Sequence, residues 1–501
     1  MSKNKTKIYL NILGVGIVAL WVVMIGLLVK KVHFGGQAEA SKPSQTVRPI
    51  DSLEREWKEI YLKNRKVGYA VNIVKPFGEG YFIQEEIFLK LDLMGMGGGL
   101  YTFTQCRVDK KFLLKSFNLT MNSGVVRSSI SGTVENDLLV LRAGKGEHIR
   151  VQRIKLKRPP MIGASISQFF KSQKIHVGQT FHLPVFDPSA MAQKDILIKV
   201  TGKEALRIHR MTYEAFRLEA EMWGKTITFW LDEDGSTLKE EGFMGLTTIR
   251  SSAARAPTDL ERKGGIDLYE MVAVVPDRRL PDPGRLGYLK LQLDGMDHSV
   301  LNLQALDSER QHLRKGVLEM RREGLPSEIL YTIPYDNPTA EMKIFLEPEF
   351  NIESDDREIK GKAREISGED RNPVSVARKM MSWVYHNMDK RPVLAVPSAL
   401  EALRTGVGDC NEHATLLTAL LRASGIPARL SIGLTYTREK FYYHAWTEAY
   451  VGAWISMDAT LNQMPADVTH IKLIEGNLDR QMEIAGLMGE LKLKIVDFRY
   501  D

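Results

Sequence analysis

Residues 406–430 read GVGDCNEHATLLTALLRASGIPARL, residues 442–451 read YYHAWTEAYV, and residues 454–460 read WISMDAT. In that order they supply one cysteine, one histidine and one aspartate: Cys410, His444 and Asp458. A thiol becomes a useful nucleophile near neutral pH when a neighbour lowers its pKa or takes its proton, and an imidazole steered by a carboxylate does both. Ala414, Leu416, Leu417, Leu420 and Leu421 form the stripe of an amphipathic helix, with Gly425 and Pro427 marking its end. Cys410 then falls in the first turn. There the unsatisfied backbone N–H groups and the helix dipole favour a thiolate and can donate to an oxyanion.

Strand-like runs follow at 429–436, 443–451 and 454–457. By the period of two, His444, Trp446, Glu448 and Tyr450 share one face of the second run, and Ala445, Thr447, Ala449 and Val451 the other. Asp458 closes the third run, so adjacent antiparallel strands would place it beside His444. Residues 372–472 resemble the transglutaminase-like superfamily. The resemblance rests on Gly408-Asp409-Cys410, on Glu412 and Ala414, on the helix exit from Ala423 to Arg429, on His444-Ala445-Trp446-Thr447-Glu448 and on Asp458-Ala459-Thr460. It implies a papain-like α+β core in which a cysteine-bearing helix packs on a sheet bearing histidine and aspartate. It further implies Cys410 as nucleophile, His444 as general base and acid, and Asp458 as the group that orients the imidazole. The reaction stays open, because such proteins include crosslinkers, peptidases, amide-cleaving enzymes and members without activity.

Each residue also has a plainer reading. A free cysteine is commonly a small buried hydrophobe, a strand histidine can simply be hydrogen-bonded, and an aspartate can close a turn. His413 lies on the same helix face as Cys410, yet the chain has neither a paired CxxC nor an HExxH, so no metal and no cofactor is expected. Glu412 and Glu448 read as helix-entry and sheet-face carboxylates. The only other cysteine, Cys106, reads as a buried single thiol in a different domain.

Residues 8–29 are almost wholly apolar and uncharged, close to the ~20 residues that span a hydrocarbon core. Lys3, Lys5 and Lys7 precede them and Lys30 and Lys31 follow, which favours a cytoplasmic N-terminus and an exported bulk. A cleaved signal peptide ending near Ala38-Glu39-Ala40 is the competitor; the length of the run favours a retained anchor. The expected address is a single pass through the cell membrane with the bulk periplasmic or otherwise extracytoplasmic. The chain has 501 residues, 44% hydrophobic and 26% charged, with a formal charge of +7, enough for several cores. No nucleic-acid motif accompanies the mildly basic balance. Nothing in the sequence sets the oligomeric state.

The expected fold class is multidomain α+β: an N-terminal transmembrane helix, a large antiparallel β-rich region, and a C-terminal transglutaminase-like domain. The expected divisions are 1–34 stub and anchor, 35–51 tether, 52–255 β-rich domain, 256–284 linker, 285–355 small β-rich module and 356–501 catalytic domain. Within the β-rich domain, Gly97, Gly98 and Gly99 suggest a mobile loop, and residues 148–158 suggest a strand with a basic outer face. Residues 328–347 read as strand. Asn372-Pro373 reads as an N-cap with proline at the first helical position. The expected function is a membrane-anchored thiol enzyme acting on amide bonds, as a peptidase, an amidase or a protein crosslinker. Its expected substrate is an envelope polypeptide or peptide-bearing polymer. The alternative is a non-catalytic envelope scaffold.

Overall fold

The computed structural model describes residues 50–501, apart from residues 94, 145–147, 223, 261–266, 296–306, 337, 477–479, 481–483, 485 and 486. The apolar stretch 8–29 and nearly all of the tether lie outside the described residues. Among those described, no helix is long and apolar enough to cross a membrane.

Between Glu54 and Ser251 the chain forms one fifteen-stranded sheet. Its first strand, Glu54–Leu62, lies in the middle, paired antiparallel with both Arg65–Phe77 and Leu246–Ser251. On each side of it antiparallel neighbours run outward, to Arg150–Lys155 at one edge and to Thr180–Asp187 on the other side, where Met161–Ile162 adds a parallel edge strand. Strands consecutive in sequence thus lie at opposite edges, which requires the sheet to curl. Its concave side shows this: Val74, Ile83 and Phe117 from one half share a core with Phe186, Ile198 and Leu218 from the other, and Phe170 of helix Gly163–Lys171 fills the space between. Cys106 is buried in that core and free.

The rest of the chain shares a second core that runs from Val274 to Ile495. Helices Arg357–Ser367, Pro373–Asn387, Ala399–Thr405 and Cys410–Ala423 pack beside a four-stranded sheet in the order Trp454–Met457, Lys440–Tyr450, Ala428–Thr437, Ile471–Glu475. Asn372 caps its helix through bonds from the amides of Val374 and Ser375, with Pro373 at the first position. A separate four-stranded sheet joins Leu286–Asp294, Gln311–Arg314 and Val317–Arg321 to the C-terminal strand Lys492–Tyr500. The small β module is therefore completed by the last residues of the chain and buries its apolar side in the same core as the helices.

Three local expectations change. Gly97, Gly98 and Gly99 lie within strand Met96–Asp109, paired with Asp92, Leu91 and Lys90, because the ladder supplies their backbone bonds whatever their side chains. The described residues of 328–347 contain no strand; the chain there is irregular apart from helix Ala340–Lys343, and Tyr331 donates its hydroxyl to the Tyr450 carbonyl instead of joining a ladder. The stretch 256–284 is more than a linker. Its helix Leu268–Val272 is capped by Asp267, whose other oxygen accepts from the amide of Gly95 in the large sheet at 2.9 Å.

The basic strand also has partners. His148 faces Asp356 at 3.1 Å and Glu358 at 3.4 Å, and Arg150 pairs with Asp355, so this edge of the sheet is clasped to the helical half. Arg153, Lys155 and Lys157 remain exposed.

Candidate active site

Cys410 opens helix Cys410–Ala423 and is half-buried. Asp409 is the N-cap: its carboxylate accepts from the Asn411 amide at 2.9 Å, while Glu412 reaches back to accept from the Asp409 amide at 2.9 Å. Gly408 is required for this box, because a Cβ there would stand 2.3 Å from Cβ of Glu412. Leu416, Leu417, Leu420 and Leu421 are fully buried, contributing roughly 2 kcal/mol each. The helix is pinned to the histidine strand by Thr447, whose hydroxyl donates to the Ala414 carbonyl at 3.1 Å and meets the Thr418 hydroxyl at 3.1 Å. Small residues Ala445 and Ala449 on the same face as Thr447 allow this close approach.

His444 lies on the central strand Lys440–Tyr450, and its Nε2 is 2.7 Å from Oδ2 of Asp458. Asp458 follows strand Trp454–Met457 and is fully buried. Its other oxygen accepts from the amides of Thr460 and Leu461 at 2.7 and 3.1 Å, which fixes the carboxylate in place. Nε2–H of His444 is thus committed to Asp458, leaving Nδ1 as the basic nitrogen. The amide of Ala445, the residue after His444, donates to the Cys410 sulfur. The structure therefore brings the three expected residues into one locality.

A fourth residue joins them. His470, fully buried, places Nε2 3.0 Å from the same Oδ2 of Asp458 and Nδ1 3.3 Å from Asp467. Burial alone would lower its pKa, but the two carboxylates push it up to about 9, so it is an imidazolium at neutral pH. Asp458 in turn is held far below the ordinary carboxylate range: burial would raise it, and His444 and then His470 outweigh that. Gly433 makes room for this arrangement. A Cβ on it would meet the Ile471 carbonyl at 1.8 Å, at an irregularity in the ladder between Ala428–Thr437 and Ile471–Glu475.

The linker supplies a further contact. Tyr269 donates its hydroxyl to Oδ2 of Asp409 at 3.0 Å, tying helix Leu268–Val272 to the helix cap beside Cys410. Neither His470 nor Tyr269 is evident from sequence. Asp467 and His470 at a spacing of three just before a strand are a weak local signal, and for Tyr269 no local signal exists. His413 is buried and donates Nδ1–H to the Asp409 carbonyl, 2.7 Å away; desolvation lowers its pKa, and it serves the helix start.

The electrostatics correct one expectation. Burial, followed by Asp409, pushes the Cys410 thiol well above its ordinary pKa, against the Ala445 amide, which lowers it. Glu412 and Asp458 add to the rise. Burial and the neighbouring Asp409 also raise the Glu412 carboxyl. Burial first, and then the carboxylates near the helix start, thus outweigh the helix dipole, and the resting sulfur is a thiol. Asp409→Asn keeps a capping oxygen and removes the charge. The pH midpoint of iodoacetamide alkylation at Cys410 should then lie above that of a free thiol in the wild type and move down in the variant; a midpoint that rises or stays put refutes the role given to Asp409.

Further along the same face of the strand as His444, Glu448, 4% exposed, pairs with Lys472 at 3.0 Å and Arg429 at 2.8 Å. Burial would raise its pKa, but these two cations hold it below the usual value. His444, Asp458 and His470 also have ligand-capable atoms within 4.8 Å of one another. A metal there would have to displace the protons that both imidazoles direct at Oδ2.

Comparison with known proteins follows this geometry. Residues 360–459 match the family model described as the transglutaminase-like superfamily, and this part of the chain is transglutaminase-like. No curated protein matches the chain. Among solved structures, a cysteine protease candidate from Cytophaga hutchinsonii is 19% identical, covering 43% of this chain and 86% of that one, with a TM-score of 0.28. A β-barrel-like protein of a domain of unknown function from Brucella abortus is 13% identical over 40% of this chain and 95% of that one, with a TM-score of 0.30. The periplasmic domain of TgpA from Pseudomonas aeruginosa, bound to ethylmercury, is 16% identical over 38% of this chain and 83% of that one, with a TM-score of 0.21.

Proposed function

We propose that the protein is a thiol enzyme that cleaves or exchanges amide bonds by acyl transfer through Cys410, His444 and Asp458. The observation that carries this reading is the orientation of His444: Nε2 is held by the anchored Asp458, while the next residue's amide faces the Cys410 sulfur. Because the resting sulfur is protonated, His444 Nδ1 takes the thiol proton as the Sγ–C bond forms. The resulting imidazolium gives that proton to the nitrogen as the C–N bond breaks, releasing an amine. The thioester is then resolved by water, which gives an acid, or by an amine, which gives a new amide. His470 lies on the same oxygen of Asp458, so the two imidazoles share that carboxylate.

In this proposal the apolar stretch 8–29 anchors the enzyme and the substrate is a polypeptide or peptide-bearing polymer of the cell envelope. That address rests on the sequence reading of residues 1–34. Acylation by p-nitrophenyl acetate tests the chemistry without knowledge of the substrate. The expected result is a burst of one nitrophenolate per chain, absent in Cys410→Ala and slowed about 10²–10⁴-fold in His444→Ala. A wild-type chain that gives no burst overturns the proposal and favours the scaffold alternative.

His470 carries its own consequence for stability. Its folded pKa of about 9 exceeds the ordinary 6.5, so its contribution is fully present below 6.5 and is lost as pH rises through about 9. The shift corresponds to at most about 3 kcal/mol, shared among the three groups. Thermal unfolding of the wild type should weaken between those pH values, and His470→Gln should remove that part of the slope. An unchanged slope in the variant would show that His470 is neutral in the fold.

A further inference from the structure

We infer that the large sheet is a binding site for a single-chain amphiphile, its acyl chain lodged in the concave side of the sheet and its polar head in the cleft against the helical half. Two cavities carry this. A chamber of about 380 Å³ lies between the sheet and helix Gly163–Lys171, with walls that include Ile87, Leu119, Met121, Ile166 and Phe186. A cleft of about 790 Å³ lies between the sheet edge and the helical half, lined by Arg127, Arg150, Asn351 and Glu401 among others.

The strand ladder makes the two neighbours. Glu85, Thr104 and Leu119 of the chamber continue, residue opposite residue, into Ile130, Ala143 and Arg150 of the cleft. Met121 of the chamber likewise stands opposite Ser128 of the cleft. Directly opposed residues on antiparallel strands point to the same face. The two cavities therefore share one face of the sheet, with Leu119 and Met121 on the chamber side and Ser128 and Arg150 on the cleft side, the order of an acyl chain and its head.

The polar atoms around this path are incompletely used. Asn351, 3% exposed in the cleft, has an amide nitrogen without a hydrogen-bond partner among the described residues. Beside the chamber, Asn72 donates to the Ala164 carbonyl at 3.1 Å but leaves Oδ1 unpartnered, and Gln168, one helical turn beyond Ala164 and 1% exposed, leaves both amide atoms unpartnered. Buried groups of this kind cost free energy unless water or a ligand satisfies them. Desolvation also pushes the Glu85 carboxyl up, suiting it to an apolar neighbour. The chamber volume and the mixture of apolar wall with a few polar groups fit the general character of small-molecule sites.

The inference is independent of the acyl-transfer chemistry. Its test uses the full-length chain in phospholipid nanodiscs, irradiated with palmitate bearing a diazirine near the chain end, followed by mass-spectrometric mapping. Crosslinks are expected in residues 81–122 and 161–196, equally in wild type and Cys410→Ala. Met121→Trp, which fills the chamber, should abolish these crosslinks while leaving any in residues 8–29; Ala192→Leu serves the same purpose if the first variant fails to fold. Competition by unlabelled palmitate against a lysophospholipid of the same chain length distinguishes a free fatty acid from a membrane lipid. Crosslinks confined to residues 8–29, or chamber crosslinks unchanged in a folded Met121→Trp protein, overturn the proposal.

Discussion

Asp458→Asn should lower the rate of Cys410 acylation by about 10³–10⁴-fold, nearly as much as removing His444. The two carboxylate oxygens are not equivalent. Oδ1 accepts from the amides of Thr460 and Leu461, so an asparagine must keep its carbonyl oxygen there. Its NH₂ group then takes the place of Oδ2 and points donors at Nε2 of both His444 and His470. To accept that bond His444 must move its proton to Nδ1, the nitrogen needed to receive the thiol proton. His470 loses the carboxylate that helps hold it charged. Nitrophenolate burst kinetics on the folded variant read this directly. A rate within about tenfold of wild type would mean that Asp458 does not set the tautomer of His444.

The second large effect concerns stability. Removing the Glu448 side chain, as in Glu448→Ala, should cost about 3–5 kcal/mol, because Lys472, 2% exposed, would remain as a buried charge, and both it and the partly buried Arg429 would lose their shared partner. Glu475 offers partial compensation, at 2.9 Å from Arg429 and 3.6 Å from Lys472. The penalty should therefore come mainly from the lysine. The double variant Glu448→Leu with Lys472→Met should recover much of the loss, since replacing both members of a buried pair with apolar groups avoids the desolvation cost. Urea unfolding of the three proteins measures this. A single-variant loss below about 1 kcal/mol would show that water reaches the pair.

These predictions draw on different depths of the fold. The positions of Cys410, His444 and Asp458 follow from local patterns: a helical stripe ended by Gly425 and Pro427, an alternating strand, and a short run ending in aspartate. Such patterns are legible because each depends on residues within one turn or one strand of each other. His470 is illegible for the opposite reason. It reaches Asp458 only because strand Ile471–Glu475 is added beyond Ala428–Thr437, and that pairing depends on the space left by Gly433 rather than on residues near His470. Tyr269 is a longer-range case, joined to Asp409 across 140 positions of sequence.

The protonation of Cys410 shows the same division. A cysteine at the first helical position predicts a stabilised thiolate when the helix is considered alone. Inside the fold, burial and the negative charge of Asp409 reverse that expectation. Likewise a basic strand at 148–158 suggests a solvated or ligand-facing surface, whereas His148 and Arg150 are matched to Asp355, Asp356 and Glu358 across the clasp.

Periodicity and capping along the chain were thus sufficient for the helix of Cys410, the strand of His444 and the many strands of the large sheet, because backbone geometry imposes those repeats on neighbouring residues. Which strands lie side by side, where the sheet curls into a chamber, which charges meet and which proton the sulfur keeps were decided only by tertiary packing. Desolvation and Coulomb energies depend on distances through space, and residues far apart in sequence set those distances once the chain is folded.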